Sequence, residues 1–582
     1  MKSLKKILAA TFSMLFLFSF AACGNSGVSS SSGNQGENSS SSAEEGGGTV
    51  KSGTIDIFLP IDADSETALK NVGNSYAKMM KGKGVNVRIN VRSSQDPQGY
   101  ITSVDGLLKY PDKQAGDIIQ ANTVAQYYGT GKLVDFTPYL NSKNPYNENK
   151  VWKTTLREDA YRTDDKTQEI YNLSMEGNAL VAFYNKKIFA QYDVEVPSDW
   201  NSLISALDTL KLAGYTAPLG LNYDAGGVDS NNFNWVQQMY MDQYFRDIID
   251  DAHSQSSDYS YISEIDDVWE YDAADPLNDS RKGYSYNFTR VVNSYFKDGS
   301  KYNTKSARYA EMMKNMKKLV SYSSSDYSNS VVRQRFQQDA LAAEGKNYEL
   351  KSRVAVYLLR LDYITDHQKS LGQALGKANG ILPISELSQM LGWFPLPAMP
   401  NNGGAGAPAA DNVRTLGGPD HHPFALVNRD ADKTALCMDF LKYLFSPTGF
   451  DEYYKHYKNL GKVCAMQCYL KDYTLPAEVS IAGKLNFDGD CSTNPYRLFA
   501  NWYTENTGIM APSGKVQTLV NSQIADYLRA DGDGSDWASY GANIYNIMAD
   551  GFSNYASWRK LKWNDLAAYT SANVNYSTDP MN

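Results

Sequence analysis

The sequence predicts an α/β protein with more than one lobe, and two observations support this prediction. Between residues 54 and 119, segments with strand-like alternation and segments with helical periodicity follow one another as strand, helix, strand, helix and strand. This order favours a mostly parallel sheet with helices packed against it. The chain has 582 residues, which is too long for a single hydrophobic core. We therefore predict at least two α/β lobes.

The individual elements follow from local patterns. In the first part of the chain, the predicted strands and helices cover residues 54–59, 66–81, 85–91, 100–109 and 117–119. The clearest helix covers residues 198–214, because Pro197 and Ser198 mark its start, Gly214 marks its end and apolar residues recur at helical spacing between them. Further extended segments are predicted over residues 170–173, 180–184 and 354–361, further helices over 433–445 and 516–528, and a crossing between lobes over 395–408.

The N-terminal residues have the pattern of an export signal. Three lysines precede an apolar run over residues 7–22, which is shorter than the roughly 20 residues that a membrane-spanning helix needs. The run leads into Phe-Ala-Ala-Cys-Gly, which resembles the lipobox of bacterial lipoproteins, although Phe20 stands where leucine is usual. The resemblance implies removal of residues 1–22 as a signal peptide and acylation of Cys23. The alternative is a plain signal peptide followed by a chance cysteine.

The segment after the cysteine is rich in serine, glycine, asparagine and glutamate. Such a composition buries too little apolar surface to offset the entropy of ordering, so we predict a lipid-anchored, flexible tether over residues 23–50. No later segment is apolar enough to span a bilayer. The predicted location is the extracellular face of the bacterial cell membrane.

Charge and aromatic content narrow the choice of partners. The formal net charge is −9, and no segment beyond the signal is dense in lysine and arginine. An acidic surface repels phosphate backbones, so nucleic acid is excluded as a partner. The chain has 42 tyrosines. Tyrosine suits sugar or peptide recognition, although ordinary surface and core packing accounts for most of these residues.

Four further cysteines lie in the C-terminal part of the chain. Because the predicted compartment permits disulfides, Cys464 or Cys468 could pair with Cys491, whereas Cys437 lies on the apolar stripe of a helix as a buried free thiol. The sequence does not choose among the three possible pairings. Only His456 lies near these cysteines, which disfavours a zinc site, and we predict neither a metal nor a cofactor.

Several stretches, in conserved order along the chain, resemble the extracellular solute-binding proteins of ABC importers, in the group that includes maltodextrin-binding protein. The longest stretch covers residues 171–221 and carries the family's Tyr-Asn-Lys segment, Pro-x-x-Trp helix start and glycine helix end at Tyr184, Asn185, Lys186, Phe189, Pro197, Trp200 and Gly214. AGDIIQANTVAQYYGTGKLVDFTPYL resembles the first-lobe strand and loop, and FPLPAMPNNGG followed by LGGPDHHPFALVNRDADKTALCMDFLKYLFSP resembles the return crossing and its helix.

The resemblance implies a two-lobe periplasmic-binding-protein-like α/β fold with hinge crossings and a ligand cleft. The first lobe would comprise residues 53–172 and 398–446, and the second lobe residues 173–397 and 447–582. The lobes of such proteins close around a solute by hinge motion. The implied function is binding of a carbohydrate, as an oligosaccharide, and its delivery to the permease subunits of an ABC transporter. The protein would act as a monomer and would not be an enzyme.

The chain departs from the family pattern at three places. Ser174 replaces a usual proline, the strand before Tyr363 carries Arg360 and Asp362, and residues 225–345 make the chain longer than most members. These departures affect individual ligand contacts more than the fold.

Three polar residues are candidate ligand contacts of the first lobe and its crossing. Asp62 and Asn122 follow predicted strands, and ligand groups cluster at the carboxyl ends of strands in α/β sheets. The alternative for Asp62 is a turn or helix N-cap. Glu176 lies in the first crossing, where the resemblance implies a carboxylate at the floor of the cleft, and the alternative is a solvated loop glutamate.

Five residues are candidates in the second lobe. Asp362 and Tyr363 end a strand where the resemblance implies an aromatic ring that stacks on a sugar. Trp235, Trp393 and Trp502 could stack in the same way. Core packing is the alternative for each of these aromatic residues.

Two other functions remain as alternatives. The chain could bind a non-sugar solute such as a peptide or polyol. It could also be a surface glycoside hydrolase, which needs two carboxylates about 5–10 Å apart. No hydrolase motif stands in the sequence, which favours binding over catalysis.

Overall fold

The structure is a computed structural model that describes residues 50–111, 114–157, 160–164, 169–223, 232–272, 285–400, 413–415, 423–464, 467–481, 512–532 and 536–581. The described residues form two compact units. The first unit comprises the described residues up to 177 and those from 423 to 479. The second unit comprises the described residues from 178 to 415 and those from 480 onward. Cys23, Cys491 and Trp502 lie outside the described residues.

Ten strands and eighteen helices are present in the described part of the chain. The strands are β1 Gly53–Leu59, β2 Val87–Ser93, β3 Ile118–Gln120, β4 Glu176–Gly177, β5 Leu180–Asn185, β6 Leu219–Gly220, β7 Val356–Arg360, β8 Leu391–Pro395, β9 Phe424–Leu426 and β10 Gln467–Cys468. The helices are α1 Ala63–Gly82, α2 Pro97–Lys109, α3 Thr137–Leu140, α4 Lys186–Gln191, α5 Trp200–Leu212, α6 Asn232–Phe245, α7 Ile248–Ala252, α8 Ser263–Asp266, α9 Phe288–Phe296, α10 Ala307–Val320, α11 Asn329–Ala343, α12 Ile364–Ala374, α13 Ile384–Met390, α14 Ala431–Leu444, α15 Pro447–Leu460, α16 Pro512–Arg529, α17 Trp537–Trp558 and α18 Ala567–Thr570.

The first unit is built on a four-stranded sheet in the order β2, β1, β3, β9. Strand β1 pairs in parallel with β2 and β3, and β9 runs antiparallel to β3. The buried Tyr100 on α2 connects two of these strands, because its hydroxyl donates to the carbonyl of Phe58 at 3.0 Å and accepts from the amide of Gln120 at 2.9 Å. The predicted strand-helix-strand-helix-strand order is confirmed, and each element lies within three residues of its predicted bounds.

Helix α15 extends the first unit beyond the predicted lobe boundary. The sequence analysis assigned residues 447–582 to the second lobe, whereas Phe450, Tyr453 and Tyr454 of α15 are buried in the same core as α1. Pro447 stands at the first turn of α15, where its missing N–H costs no helical hydrogen bond. Proline therefore ends one helix and begins another, and the chain leaves the first unit only after residue 479.

The second unit contains a four-stranded sheet in the order β6, β7, β5, β8. Strand β5 is antiparallel to both β7 and β8, and β6 is parallel to β7. Helix α5 begins at Trp200 because Asp199 and Ser202 form a reciprocal capping box, and its residues Leu203 and Leu207 are buried in the core. The described part of the segment 225–345 contributes mainly helices, α6 to α11, and apolar residues of α6, α7, α9 and α10 are buried in this core.

The structure also tests the expectations for residues 170–173, for the cysteines and for membrane-spanning segments. Residues 170–173 form isolated backbone pairs, such as Leu173 with Phe424, rather than a strand. Cys437 is a buried free thiol, as expected. Cys464 and Cys468 are also free thiols in the structure, which contradicts the expected bridge from one of them. No helix within the described ranges is both long and apolar enough to cross a membrane.

Candidate ligand-binding site

A small recess lies where β1 leads into α1 in the first unit. Its walls come from the start of α1, from the residues just before and within β4, from β9 and from α15. The lining residues are Ile61, Ser65, Leu69, Met175, Glu176, Phe424 and Tyr453. Because β1 and β3 are parallel neighbours, the 3₁₀ turn Ala121–Thr123, which includes Asn122, follows β3 at the same end of the sheet at which β1 leads into α1.

Asp62 is the N-cap of α1. Its Oδ1 accepts hydrogen bonds from the amides of Asp64 at 2.8 Å and Ser65 at 3.0 Å, and its Oδ2 accepts from the Ser65 hydroxyl at 2.8 Å. Oδ1 therefore pairs with two otherwise unsatisfied N–H groups of the helix terminus, and Oδ2 pairs with the hydroxyl group of Ser65 in the same turn. This geometry favours the capping alternative for Asp62, and a contact with ligand stays a prediction.

Glu176 is a buried acid of this recess rather than a solvated loop residue. Its side chain accepts from the hydroxyl of Tyr454 at 2.8 Å, and the thiol of Cys464 lies 3.6 Å from the same oxygen. Burial raises the pKa of Glu176 to about 7, against the lowering effect of the Tyr454 and Cys464 hydrogen bonds, and the charge of Asp62 raises it further. The carboxyl group thus changes its charge near neutral pH.

We expect Glu176→Gln to remove a pH-dependent part of the folding free energy. The folded pKa of about 7 lies above the ordinary value of 4.5, so the wild type gains stability from this group at low pH and loses it as pH rises between these values. The free energy of unfolding of the variant, relative to wild type, should increase over this interval by up to about 1.4 kcal/mol per pH unit and stay level above it. Urea denaturation from pH 4 to 8 measures the difference.

Glu148→Gln is the matched control for this experiment. Glu148 is exposed and ion-paired with Lys150, and this contact lowers its pKa, so its effect on the pH profile has the opposite sign. An unchanged pH profile in the Glu176→Gln variant would show that the Glu176 carboxyl group is not held in its neutral form by burial.

A second polar cluster lies in the second unit, at the end of β7. It consists of Asn178, Arg360, Asp362 and Trp235. A guanidinium nitrogen of Arg360 lies 3.3 Å from Asp362 Oδ2, the backbone amide of Asp362 donates to Asn178 Oδ1 at 3.3 Å, and the Arg360 guanidinium carbon lies 5.3 Å from the centre of the Trp235 ring. We call these four residues the β7-end cluster.

Strand pairing brings the members of this cluster together. Arg360 is the register partner of Leu180, so the residue at the end of β7 lies beside the start of β5, and Asn178 stands two residues before Leu180. The amide of Leu361 also donates to the carbonyl of Ala179 at 3.0 Å. Antiparallel pairing therefore places residues 178 and 362 side by side although they are far apart along the chain.

Three side-chain atoms of the cluster have no hydrogen-bond partner in the described part of the chain. They are Asn178 Nδ2, Arg360 Nε and Asp362 Oδ1, and each is buried. Burial of an unsatisfied polar atom costs about 1–3 kcal/mol. Such a concentration at one strand end is more typical of a recognition site than of a structural core.

The other predicted aromatic contacts have different positions. Trp393 pairs in register with Phe183, which pairs with Tyr357, so all three side chains lie on the sheet face opposite to Arg360. The structure therefore does not bring Trp393 to the β7-end cluster. Tyr363 is half-buried and directly follows Asp362, and burial, with the charge of Asp362, raises its pKa. The ligand-binding roles of both residues stay predictions.

Sequence reasoning placed Asp362 and Trp235 at the ligand site but did not assign Asn178 or Arg360 to it. The signal for Arg360 was present, because a charged residue ends an otherwise apolar strand. No local signal marks Asn178, whose significance depends on its contact with Asp362. No group of three or more histidine, cysteine or acidic residues within the described ranges could hold a metal ion.

Comparisons with protein families and with solved structures found proteins that are similar to this chain. Residues 63–266 match the family model of bacterial extracellular solute-binding proteins. The match confirms the predicted resemblance of this part of the chain to that family. A comparison with curated protein sequences found no match.

Solved structures similar to the chain include solute-binding proteins. The cyclic alpha-maltosyl-1,6-maltose binding protein from Arthrobacter globiformis has 13% identity and a TM-score of 0.49, and the alignment covers 86% of this chain and 100% of that protein. The bacterial solute receptor AcbH has 12% identity and a TM-score of 0.48, with 86% and 98% covered. A family 1 extracellular solute-binding protein from Bifidobacterium longum subsp. infantis has 15% identity and a TM-score of 0.45, with 85% and 99% covered.

Proposed function

We propose that this protein is an extracellular carbohydrate-binding protein that delivers an oligosaccharide to the permease subunits of an ABC transporter. The observation that carries the proposal is the family match over residues 63–266. The β7-end cluster supports the choice of a carbohydrate. It combines an aromatic ring with unsatisfied donor and acceptor atoms. A sugar needs both, because its C–H face packs on aromatic rings while its hydroxyl groups require hydrogen-bond partners.

The proposed action is binding without chemical turnover. A solute that contacts both lobes stabilises their closed arrangement, because a ligand shifts a conformational equilibrium only by its difference in affinity for the two states. The protein acts as a monomer, without metal or cofactor, and Cys23 carries the lipid that anchors it to the outer face of the membrane. Incorporation of a labelled fatty acid at Cys23 tests the anchor separately.

We expect neutral oligosaccharides to raise the melting temperature of the protein, because a ligand that binds only the folded state stabilises it by mass action. A thermal-shift screen with maltose, maltotriose, cellobiose, lactose and raffinose, beside di- and tripeptides, measures this effect. Sugar release is followed in the same samples. A shift with peptides alone would overturn the carbohydrate assignment, and steady sugar release would indicate a hydrolase.

Two tryptophans provide a matched pair of variants for the same screen. We expect Trp235→Ala to weaken binding of the active sugar by about tenfold, a free-energy change of about 1.4 kcal/mol, because its ring lies at the β7-end cluster. Trp563→Ala removes the same kind of side chain from a position in the same unit where its ring packs against Tyr569, with 6.1 Å between the ring centres, and should leave the dissociation constant unchanged. Titration calorimetry measures both constants. Equal effects of the two substitutions would contradict the location of the binding site.

A further inference from the structure

The β7-end cluster has no net charge of its own. Arg360 and Asp362 neutralise each other at 3.3 Å, and Asn178 is neutral. Two further charged residues that act on the adjacent Tyr363, Arg333 and Asp366, also form an ion pair with each other at 3.3 Å. The cluster therefore offers directed hydrogen-bonding groups without a field that favours an anion or a cation.

The unsatisfied atoms are of both kinds. Asn178 Nδ2 and Arg360 Nε are donors, whereas Asp362 Oδ1 is an acceptor. Asn178 is 4% exposed, so its amide group is fixed inside the protein. The side chains of Arg360 and Asp362 retain 22% and 24% exposure, so the cluster is in contact with solvent on one side. The contacts of Asp362 with both other residues hold the three unsatisfied atoms within one small region.

The type of ligand follows from this set of atoms. A hydroxyl group accepts from one partner and donates to another, so two adjacent hydroxyls can satisfy both donors and the acceptor. A ligand carboxylate would satisfy the donors but would face Asp362 Oδ1, a contact between like charges. A ligand ammonium would satisfy Asp362 but would face two N–H donors and the Arg360 charge. Each charged ligand thus leaves at least one repulsive contact in a partly desolvated site.

We propose that the β7-end cluster is a subsite for an uncharged sugar ring bearing two adjacent hydroxyl groups, and that it rejects uronic acids and amino sugars. Asn178 and Arg360 donate to the hydroxyl oxygens, Asp362 accepts from a hydroxyl, and the ring of Trp235 packs near the sugar. This inference rests on the proposed function. It adds the charge class of the ligand and the residues that select it.

Calorimetric titrations with sugars that differ in one group test this selection. The probes are glucose, glucuronate and glucosamine, with galactose, galacturonate and galactosamine as a second set at pH 7. Where the monosaccharides bind too weakly for titration, maltotriose and cellotriose serve as neutral probes, with trigalacturonate and chitosan trimer as their charged counterparts. We expect a neutral sugar to bind at least tenfold more tightly than either charged counterpart.

Two substitutions should change the charge preference in opposite directions. Asp362→Asn leaves the Arg360 charge without this partner and removes the anionic acceptor. It should therefore weaken binding of the neutral sugar by about tenfold or more and raise the affinity for the uronate relative to that for the neutral sugar. Arg360→Gln leaves the Asp362 carboxylate without this partner and should raise the affinity for the amino sugar relative to that for the neutral sugar. Melting curves and circular dichroism confirm that each variant is folded.

The matched control is Glu386→Gln. Glu386 forms an ion pair with Lys377 at 2.7 Å elsewhere in the same unit, so its loss changes the net charge of the protein as Asp362→Asn does without touching the cluster. Tighter binding of a charged sugar by the wild type overturns the inference, as does an equal shift of charge preference in the control. The proposed function survives both results. If no sugar of any charge binds, the proposed function fails, and the inference fails with it.

Discussion

Gly177→Ala is expected to lower the free energy of unfolding of the first unit by about 3 kcal/mol or more. A β-carbon at position 177 would lie 1.6 Å from the hydroxyl oxygen of Tyr469 and 2.2 Å from its ring carbon Cζ. Tyr469 is completely buried, so its ring has no free space to enter. The substitution therefore has the cost of displacing a large core aromatic ring, which is in the range of about 3–5 kcal/mol.

The position of Gly177 makes this effect relevant to the site. Residues 176 and 177 form β4, which pairs antiparallel with β10, with Gly177 opposite Gln467 and Glu176 opposite Cys468. The close approach of Tyr469 to the backbone holds this short strand pair, and with it the buried carboxyl group of Glu176. Only glycine permits this approach, because it has no β-carbon.

Chemical denaturation, followed by tryptophan fluorescence, measures the loss of stability. Gly82→Ala is the matched control in the same unit, because a β-carbon there meets no atom within 4 Å and the residue ends α1, where alanine favours the helix. We expect the control to be neutral or slightly stabilising. The double variant Gly177→Ala/Tyr469→Ala should be no less stable than Tyr469→Ala alone, since the clash is then absent. A loss below about 1 kcal/mol in the single variant would contradict this account.

The second large effect is expected for Asp242→Asn in the second unit. Asp242 on α6 is buried, and its Oδ2 lies 2.9 Å from a terminal guanidinium nitrogen of Arg246 and 2.9 Å from Nε of Arg414, with a further short contact between Arg414 and Oδ1. Both arginines are buried. One carboxylate thus compensates two guanidinium groups inside the protein.

Removing this negative charge deletes the carboxylate that both buried guanidinium groups contact. Burial lowers the pKa of Arg246, Asp242 raises it, and repulsion by Arg414 lowers it again, so the Asp242 carboxylate opposes the cost of burying these two charges together. Loss of one partner of a buried ion pair costs about 3–5 kcal/mol. Guanidinium denaturation should show a decrease of this size in the transition of the second unit.

Glu349→Gln is the control for the Asp242 variant. Glu349 forms an ion pair with Lys351 at 3.1 Å, but both side chains are largely exposed, so we expect a change within about 0.5 kcal/mol. Equal effects of the two substitutions would show that burial does not determine the strength of the Asp242 interactions.

The neighbours of Asp242 on α6 also bind the segment that follows β8. Next to Asp242 on α6, Gln243 donates to the carbonyl of Met399 at 2.9 Å, and Tyr240 and Tyr244 donate to the carbonyls of Pro397 and Pro400 at 3.0 and 2.8 Å. Helix α6 thus binds the described start of the predicted 395–408 crossing. The role of this segment as a crossing between lobes stays a prediction.

The sequence by itself determined the α/β class and the positions of the main elements. Apolar periodicity is a local property, so the helix predicted over 198–214 and the strand predicted over 354–361 lie within two residues of α5 and β7. The family resemblance was also visible in the sequence alone, because its motifs are short and local. The position of Asp62 just before α1 was equally visible, although its two roles, cap and ligand contact, could not be separated without the hydrogen bonds of the carboxylate.

Only the tertiary structure decided which side chains meet. Asn178 and Asp362 are 184 positions apart and become neighbours through strand pairing, and Arg414 reaches Asp242 across 172 positions. Burial of Glu176 depends on Tyr454 of α15, a helix that the sequence analysis placed in the other lobe. Trp235 and Trp393 were equivalent candidates in the sequence, yet the alternation of side chains along the strands places Trp393 on the sheet face opposite Arg360. Such contacts depend on pairing register and on core packing between distant segments, and a local pattern contains neither.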